Sequence, residues 1–338
     1  MILLVGVGAI GGTTAAALLR AGRDVVLVDG WYENVEAIRR NGLALTVDGS
    51  RGVVPARAIY PDELSGRAEL VLLACKSYDT AATVRAIEPF LAEDGAIVSL
   101  QNGINEDLIA ELVGPSRTVG CVVHYSAGMT EPGHAIRYSP SAWRSYTVGA
   151  LDGGPVDHVE ALLSAAGTTA VSDDIFGALW AKLAVNCMIN ALTAVSDLRT
   201  AQLWASDTGR PLMVALAAEA AAVARAQGRE MRPIHLVASG AELSAELLLG
   251  DPARVEALMA REAVARADAA SQGTTSMLQD LRKGRRPEID YINGYVVREG
   301  ERLGVGTPLN AAVTARLRAV AAGVEPRGPA QLERLAST

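Results

Sequence analysis

The first half of the chain carries short apolar runs at Ile2–Val5, Val25–Val28, Leu70–Ala74 and Ile97–Leu100, without strict polar alternation. A strand covered on both faces reads this way, because neither face meets water. The runs therefore predict buried strands of a parallel sheet. Ala- and Leu-rich stretches between them, such as Gly11–Arg20 and Thr80–Leu91, predict helices. Strand and helix in alternation predict an α/β, doubly wound, mostly parallel sheet. Further β-like runs follow at Val119–Val123, Ser145–Gly149 and Thr168–Val171.

The texture changes near Ile175. Long alanine-rich helical stretches follow at Trp180–Ala194, Arg210–Ala226, Pro252–Ala269 and Leu309–Ala322, with no comparable β runs. This predicts an α/β domain over 1–174 and an all-α domain over 175–338. No Ser/Gly linker separates them, so a strand is expected to run straight into a long helix.

A length of 338 residues suits two domains and is ample for a core without metal or disulfide staples. Aromatics make up only 4%, so the core must be built from Ala, Val and Leu. The net charge of −7 argues against nucleic acid as a partner, since phosphates need a basic face. Cys75, Cys121 and Cys187 form neither a CxxC nor a Cys/His spacing, so no disulfide framework or metal site is expected and a cytoplasmic location fits. The apolar start lacks a basic region and is broken by glycines, and the Met213–Ala224 run is short and carries Glu219. No membrane segment is expected.

Gly6-Val7-Gly8-Ala9-Ile10-Gly11 follows a strand directly and opens a helix. In that context Gly6 permits a tight turn, Gly8 lets the backbone approach a pyrophosphate, and Gly11 lets helix and strand pack closely. The phosphates would sit on unpaired N–H groups of the helix N-terminus, as in a Rossmann dinucleotide-binding domain. Asp29 closes the second strand, about 20 residues beyond Gly8, where a carboxylate accepts from an adenosine ribose 2′-OH. It would repel a 2′-phosphate, and Gly30-Trp31-Tyr32 offers no arginine, which favours NAD(H) over NADP(H). The alternative is that Asp29 caps the following turn. Lys76 and Asn102 follow the third and fourth of these strands, at the carboxyl ends where open α/β sheets bind ligands. A solvated loop cation and an Asn-Gly turn are the competing readings.

In the second half, Lys182, Asn186 and Asn190 recur every four residues along an otherwise apolar helix and so share one face. A buried Lys and two Asn need partners, either another helix or a ligand. Ser276 through Asn293 includes Pro287 and Glu288, consistent with a helix start after the proline or with a plain capped surface helix.

Taken together, GVGAIGG, CKSYD, SLQNGINE, EPG, LWAKLAVNCMINALTA and SMLQDLRKGRRPEIDYINGYVVREGERLGVGTPLN resemble the ketopantoate reductases over nearly the whole chain. The resemblance implies an N-terminal Rossmann domain, a helical C-terminal domain, and a nicotinamide-dependent reduction of a small 2-oxo acid, with NADPH as the family's usual cofactor. It implies Lys182 as general acid, Asn186 and Asn190 on the substrate oxygens, and Ser276 on the carboxylate. Asn102 would bridge cofactor and substrate, Lys76 would lie along the cofactor, and Glu288 would sit at the cofactor end, close enough to influence Lys182. No arginine for the carboxylate stands out. A homodimer is expected from family habit.

Three departures bear on specificity. Asp29-Gly30 stands where the family usually has a small residue followed by a basic one, so NADH becomes the expected cofactor despite the family's NADPH. Thr200-Ala201 stands where many members carry Asn-Gly. The stretch Arg229–Thr275 is long, which suggests extra helix beside the site or at an interface. The primary expectation is reduction of 2-dehydropantoate to (R)-pantoate. The alternatives are an NAD-dependent dehydrogenase of another branched or aromatic (R)-2-hydroxy acid, a non-catalytic dinucleotide sensor, and a β-hydroxyacid dehydrogenase. The Lys182/Glu288 pair disfavours the sensor, and the Ser276–Asn293 block disfavours the last.

Overall fold

A computed structural model describes residues 1–154, 156–236, 238–267 and 274–337; the end of the predicted Pro252–Ala269 helix lies outside the described residues. The chain divides into two compact units, Met1–Ile175 and Phe176–Thr338.

The first unit contains strands β1 (Ile2–Val5), β2 (Val25–Val28), β3 (Leu43–Val47), β4 (Ser50–Val54), β5 (Arg57–Ile59), β6 (Ala68–Leu73), β7 (Leu91–Ser99), β8 (Thr118–Val123), β9 (Ala127–Glu131), β10 (His134–Arg137), β11 (Tyr146–Ala150) and β12 (Thr169–Val171). Its helices are α1 (Ala9–Arg20), α2 (Tyr32–Asn41), α3 (Thr80–Ile87), α4 (Glu106–Val113) and α5 (Asp157–Ser164). The main sheet runs β12-β11-β8-β7-β6-β1-β2-β5 and is parallel except between β8 and β11. The order reverses between β1 and β6, the topological switch point at which open α/β sheets bind ligands.

Both faces of this sheet are buried, as the unbroken apolar runs required. Leu4, Leu27, Leu72 and Val98 point into one core, while Leu3, Val26, Val71 and Ile97 point into the other. Each such side chain stabilises the fold by about 2 kcal/mol on burial. The predicted helix Thr80–Leu91 stops at Ile87 because Pro89 cannot donate a backbone hydrogen bond, and Leu91 already belongs to β7.

A second sheet, β4-β3-β10-β9, was not foreseen. Its central pair joins β3 to β10, far apart in sequence, and β4 is largely exposed, so no buried apolar run marks it. This sheet packs on α1, where a Cβ on Gly12 would lie 3.2 Å from that of Ala135. Thr14 on the same helix meets the Tyr125 hydroxyl at 2.8 Å and that of Tyr146 at 3.1 Å, in a buried cluster.

The second unit contains α6 (Ile175–Ser196), α7 (Thr200–Ala205), α8 (Gly209–Ala226), α9 (Ala245–Gly250), α10 (Pro252–Ala267), α11 (Ser276–Arg282), α12 (Asn293–Leu303), α13 (Pro308–Ala321) and α14 (Ala330–Ala336). A two-residue hairpin, Ile234–His235 with Glu242–Leu243, interrupts the helices. The long Arg229–Thr275 stretch forms this hairpin, α9 and α10; buried Glu262 of α10 accepts from the Ala238 and Ser239 amides. Helix α6 extends beyond its predicted bounds, and among the described residues it alone is long and apolar enough to cross a membrane. Most of it is buried inside the protein, as befits a core helix.

Buried polar groups fix α6 in place. The Trp180 indole donates to Gln227 Oε1 at 3.1 Å. Asn293 Nδ2 donates to the Cys187 carbonyl at 3.3 Å and to Asn310 Oδ1 at 2.9 Å. Asn310 Nδ2 donates to Glu219 Oε2 at 2.7 Å, and the Glu219 carboxylate also accepts the Leu309 and Asn310 amides, each at 2.9 Å. Glu219 thus caps α13, and an unpaired carboxylate in an apolar helix is avoided.

Candidate active site

The glycine loop has the shape its spacing implied. Gly6 has φ +91°, and a Cβ there would meet the Cys75 amide nitrogen at 2.5 Å. A Cβ on Gly11 would lie 2.0 Å from the Gly6 carbonyl oxygen, so only glycine lets α1 start this close to β1. At Gly8 a Cβ would meet nothing within 4 Å. Gly8 is the N-cap of α1 and has no side-chain hydrogen bond, and the first turn contains no acidic residue. Open space before an uncapped helix start, with Val7, Ala9 and Ile10 lining the turn, fits a pyrophosphate.

Asp29 is more deeply engaged than expected. Its Oδ2 accepts the Val7 amide at 3.0 Å and Asn34 Nδ2 at 2.9 Å, and its Oδ1 accepts the Trp31 amide at 3.0 Å. The turn cap is therefore real. It does not exhaust the carboxylate, because Oδ1 retains one acceptor position for a ribose hydroxyl. Asn34, which carried no signal in the sequence, is fully buried, donates to the Val7 carbonyl at 3.0 Å and accepts the Gly133 amide at 2.7 Å. It ties the glycine loop to the second sheet.

Lys76 and Asn102 lie beyond the carboxyl ends of β6 and β7, on the same edge as the glycine loop and Asp29. Both are half-buried. Gly103, at φ +86°, makes the tight turn that Asn-Gly predicted. Buried residues hold the two loops together. Ser77 Oγ donates to the Asn102 carbonyl at 2.9 Å, Asn105 Nδ2 donates to the same carbonyl at 2.9 Å, and Gln101 Nε2 donates to the Cys75 carbonyl at 2.9 Å.

In the second unit, Asn186 and Asn190 are buried on the same face of α6 as Lys182. Desolvation alone lowers the Lys182 pKa from its ordinary value. Glu288 is buried at the turn that leads into α12. Ser276 opens α11, whose N-cap Thr275 meets the Thr193 hydroxyl at 2.7 Å, one turn beyond Asn190. Asp197, in the left-handed region at φ +57°, ends α6 and accepts from Arg282 at 3.0 Å. No group of three His, Cys, Asp or Glu among the described residues could hold a metal.

A sheet edge shaped for a dinucleotide, followed by a helical unit with a desolvated lysine and two buried asparagines on one helix face, defines a nicotinamide-dependent oxidoreductase. The sequence profile described as ketopantoate reductase PanE/ApbA matches residues 2–153, and that of its C-terminal part matches residues 174–321. The chain belongs to the ketopantoate reductase family. It is 28% identical over 329 residues to a 2-dehydropantoate 2-reductase of Archaeoglobus fulgidus, covering 96% of this chain and 98% of the relative. A PanE/ApbA family ketopantoate reductase from Ralstonia eutropha superposes with a TM-score of 0.78 at 30% identity, covering 96% of this chain and 99% of that one. A D-mandelate dehydrogenase, solved with NADH and anilino(oxo)acetate, superposes with a TM-score of 0.81 at 25% identity and the same coverage.

Proposed function

We propose that the protein reduces the carbonyl of a small 2-oxo acid to an (R)-2-hydroxy acid, with 2-dehydropantoate as the first-named substrate. The observation that carries this reading is Lys182, an ammonium whose pKa burial lowers, on one helix face with Asn186 and Asn190. As hydride reaches the carbonyl carbon, negative charge grows on its oxygen. Lys182 Nζ stabilises that charge and delivers the proton, a task that suits a lysine brought closer to neutrality. Asn186 and Asn190 orient the substrate oxygens, and Ser276 receives the carboxylate. A bound dihydronicotinamide supplies the hydride. The Gly6–Gly11 loop, Asp29, Lys76, Asn102 and Glu288 are the residues proposed to hold it. A non-catalytic dinucleotide sensor would have no use for such a proton donor.

Asp29 favours NADH, and with the D-mandelate dehydrogenase likeness it supports a second reading, an NAD-dependent dehydrogenase of an aromatic or branched (R)-2-hydroxy acid. The deciding experiment is steady-state oxidation of NADH and NADPH with 2-dehydropantoate and with an aromatic 2-oxo acid. The highest kcat/KM with 2-dehydropantoate supports the first reading. A poor rate with it and a good rate with the aromatic acid and NADH overturns the first in favour of the second. A cytoplasmic homodimer is the proposed setting, supported by the family resemblance and the three free cysteines.

A further inference from the structure

The loops that carry Lys76 and Asn102 are joined through a buried chain of side chains that leads to a carboxyl group. Asn105 Nδ2 donates to the Asn102 carbonyl at 2.9 Å and to Ser77 Oγ at 3.2 Å, and Ser77 Oγ donates to the same carbonyl at 2.9 Å. Behind them, the Asn105 amide donates to Glu106 Oε2 at 2.9 Å. Asn105 and Glu106 are both almost wholly buried, and neither was singled out in the sequence. Glu106 Oε1 has no hydrogen-bond partner, and neither does the buried Ser99 hydroxyl. A buried carboxyl with one unpaired oxygen is costly unless it does something beyond filling space.

We propose that Asn105 and Glu106 are positioning residues, Asn105 clasping the Ser77 and Asn102 loops into one unit and Glu106 setting how firmly that clasp is held. The functional half rests on the reading that Asn102 touches the cofactor. Burial pushes the Glu106 pKa up to about 7, against weaker lowering by its own backbone amide and that of Asn105. Asp107 on its own helix adds to the rise. From β8, the buried Cys121 thiol faces it. The elements packed against α4 also carry Arg85, on α3, and Arg117, in the turn before β8. Because desolvation outweighs the hydrogen bonds, ionised Glu106 is the less stable form in place. Ionisation above pH 7 therefore favours any state in which the loop opens and the carboxylate reaches water.

Two readouts on the intact enzyme separate the parts of the proposal. The first is hydrogen exchange of the 100–105 amides at pH 6 and pH 8. The second is NADH dissociation constant against pH. Asn105→Ala, which loses the two buried hydrogen bonds of Nδ2, should speed exchange and weaken NADH binding about tenfold. Asn105→Asp, which keeps the shape but loses the donor, guards against a folding defect and should do the same. In the wild type NADH affinity should fall as pH rises through about 7. In Glu106→Gln, which cannot ionise, that step should vanish. Unchanged exchange in both Asn105 variants overturns the clasp. A pH step that persists in Glu106→Gln overturns the role of Glu106. Faster exchange in Asn105→Ala, with NADH affinity unaltered there and in Asn102→Ala, overturns the positioning role and places the fault in the reading of Asn102.

Discussion

The Val7 amide donates to Asp29 Oδ2 at 3.0 Å, so the carboxylate that would select the cofactor also fixes the loop that would bind it. Selectivity and loop geometry therefore cannot be changed independently at this residue. Asp29→Asn removes the charge and keeps an oxygen for the Val7 amide. The ratio of kcat/KM for NADPH over NADH should rise by about tenfold through lost repulsion of the 2′-phosphate. Absolute kcat/KM with NADH should fall, since the Trp31 amide loses its acceptor. An unchanged ratio means that Asp29 does not face the ribose.

Gly8 and Gly11 separate binding from folding. Gly11→Ala drives a methyl group against the Gly6 carbonyl, and backbone must move. The loss should reach about 3 kcal/mol, at the upper end of overpacking costs, and is read from thermal unfolding. Gly8→Ala meets open space, so its melting should change little while its NADH dissociation constant rises, the added Cβ standing where the phosphates approach. Equal melting of the two variants would contradict this division.

Lys182→Ala should lower kcat by about 10²-fold or more through loss of acid catalysis, with a smaller effect on cofactor affinity. The sign of the pH dependence follows from the pKa direction. A general acid works while protonated, and desolvation lowers the Lys182 pKa. Wild-type kcat should therefore decline on the alkaline side at a pH below the ordinary lysine value, and that limb should be missing in the variant. A rate within about twofold of wild type would remove Lys182 from the mechanism.

Glu219→Ala leaves the Leu309 and Asn310 backbone amides without an acceptor and takes from the Asn310 side chain one of its two, the Leu216 carbonyl remaining. Stability should fall by about 2–3 kcal/mol, because stranded donors cost more than the bonds themselves contribute. Glu219→Gln, which retains one oxygen, should lose less. Thermal unfolding with a probe in the helical unit checks both.

The main sheet was legible because its strands are buried on both faces, and β1 and β2 begin and end at the predicted residues. The switch to helices at residue 175 was legible for the same reason, since the apolar period changes there. The second sheet was not. β3 and β10 pair across the six strands from β4 to β9 and the helices between them, and nothing local in either strand announces the partner.

At the site, the sequence alone determined which residues are proposed to act on a ligand. Gly6, Gly8, Gly11, Asp29, Lys182, Asn186 and Asn190 each sit at a spacing that chemistry demands, and spacing survives in one dimension. Only the tertiary structure decided what holds them. Asn34, Asn105 and Asn293 work by reaching the carbonyls of Val7, Asn102 and Cys187, the last from 106 residues away. A buried amide finds its partner through the fold, and a buried hydrogen bond leaves no period in the chain.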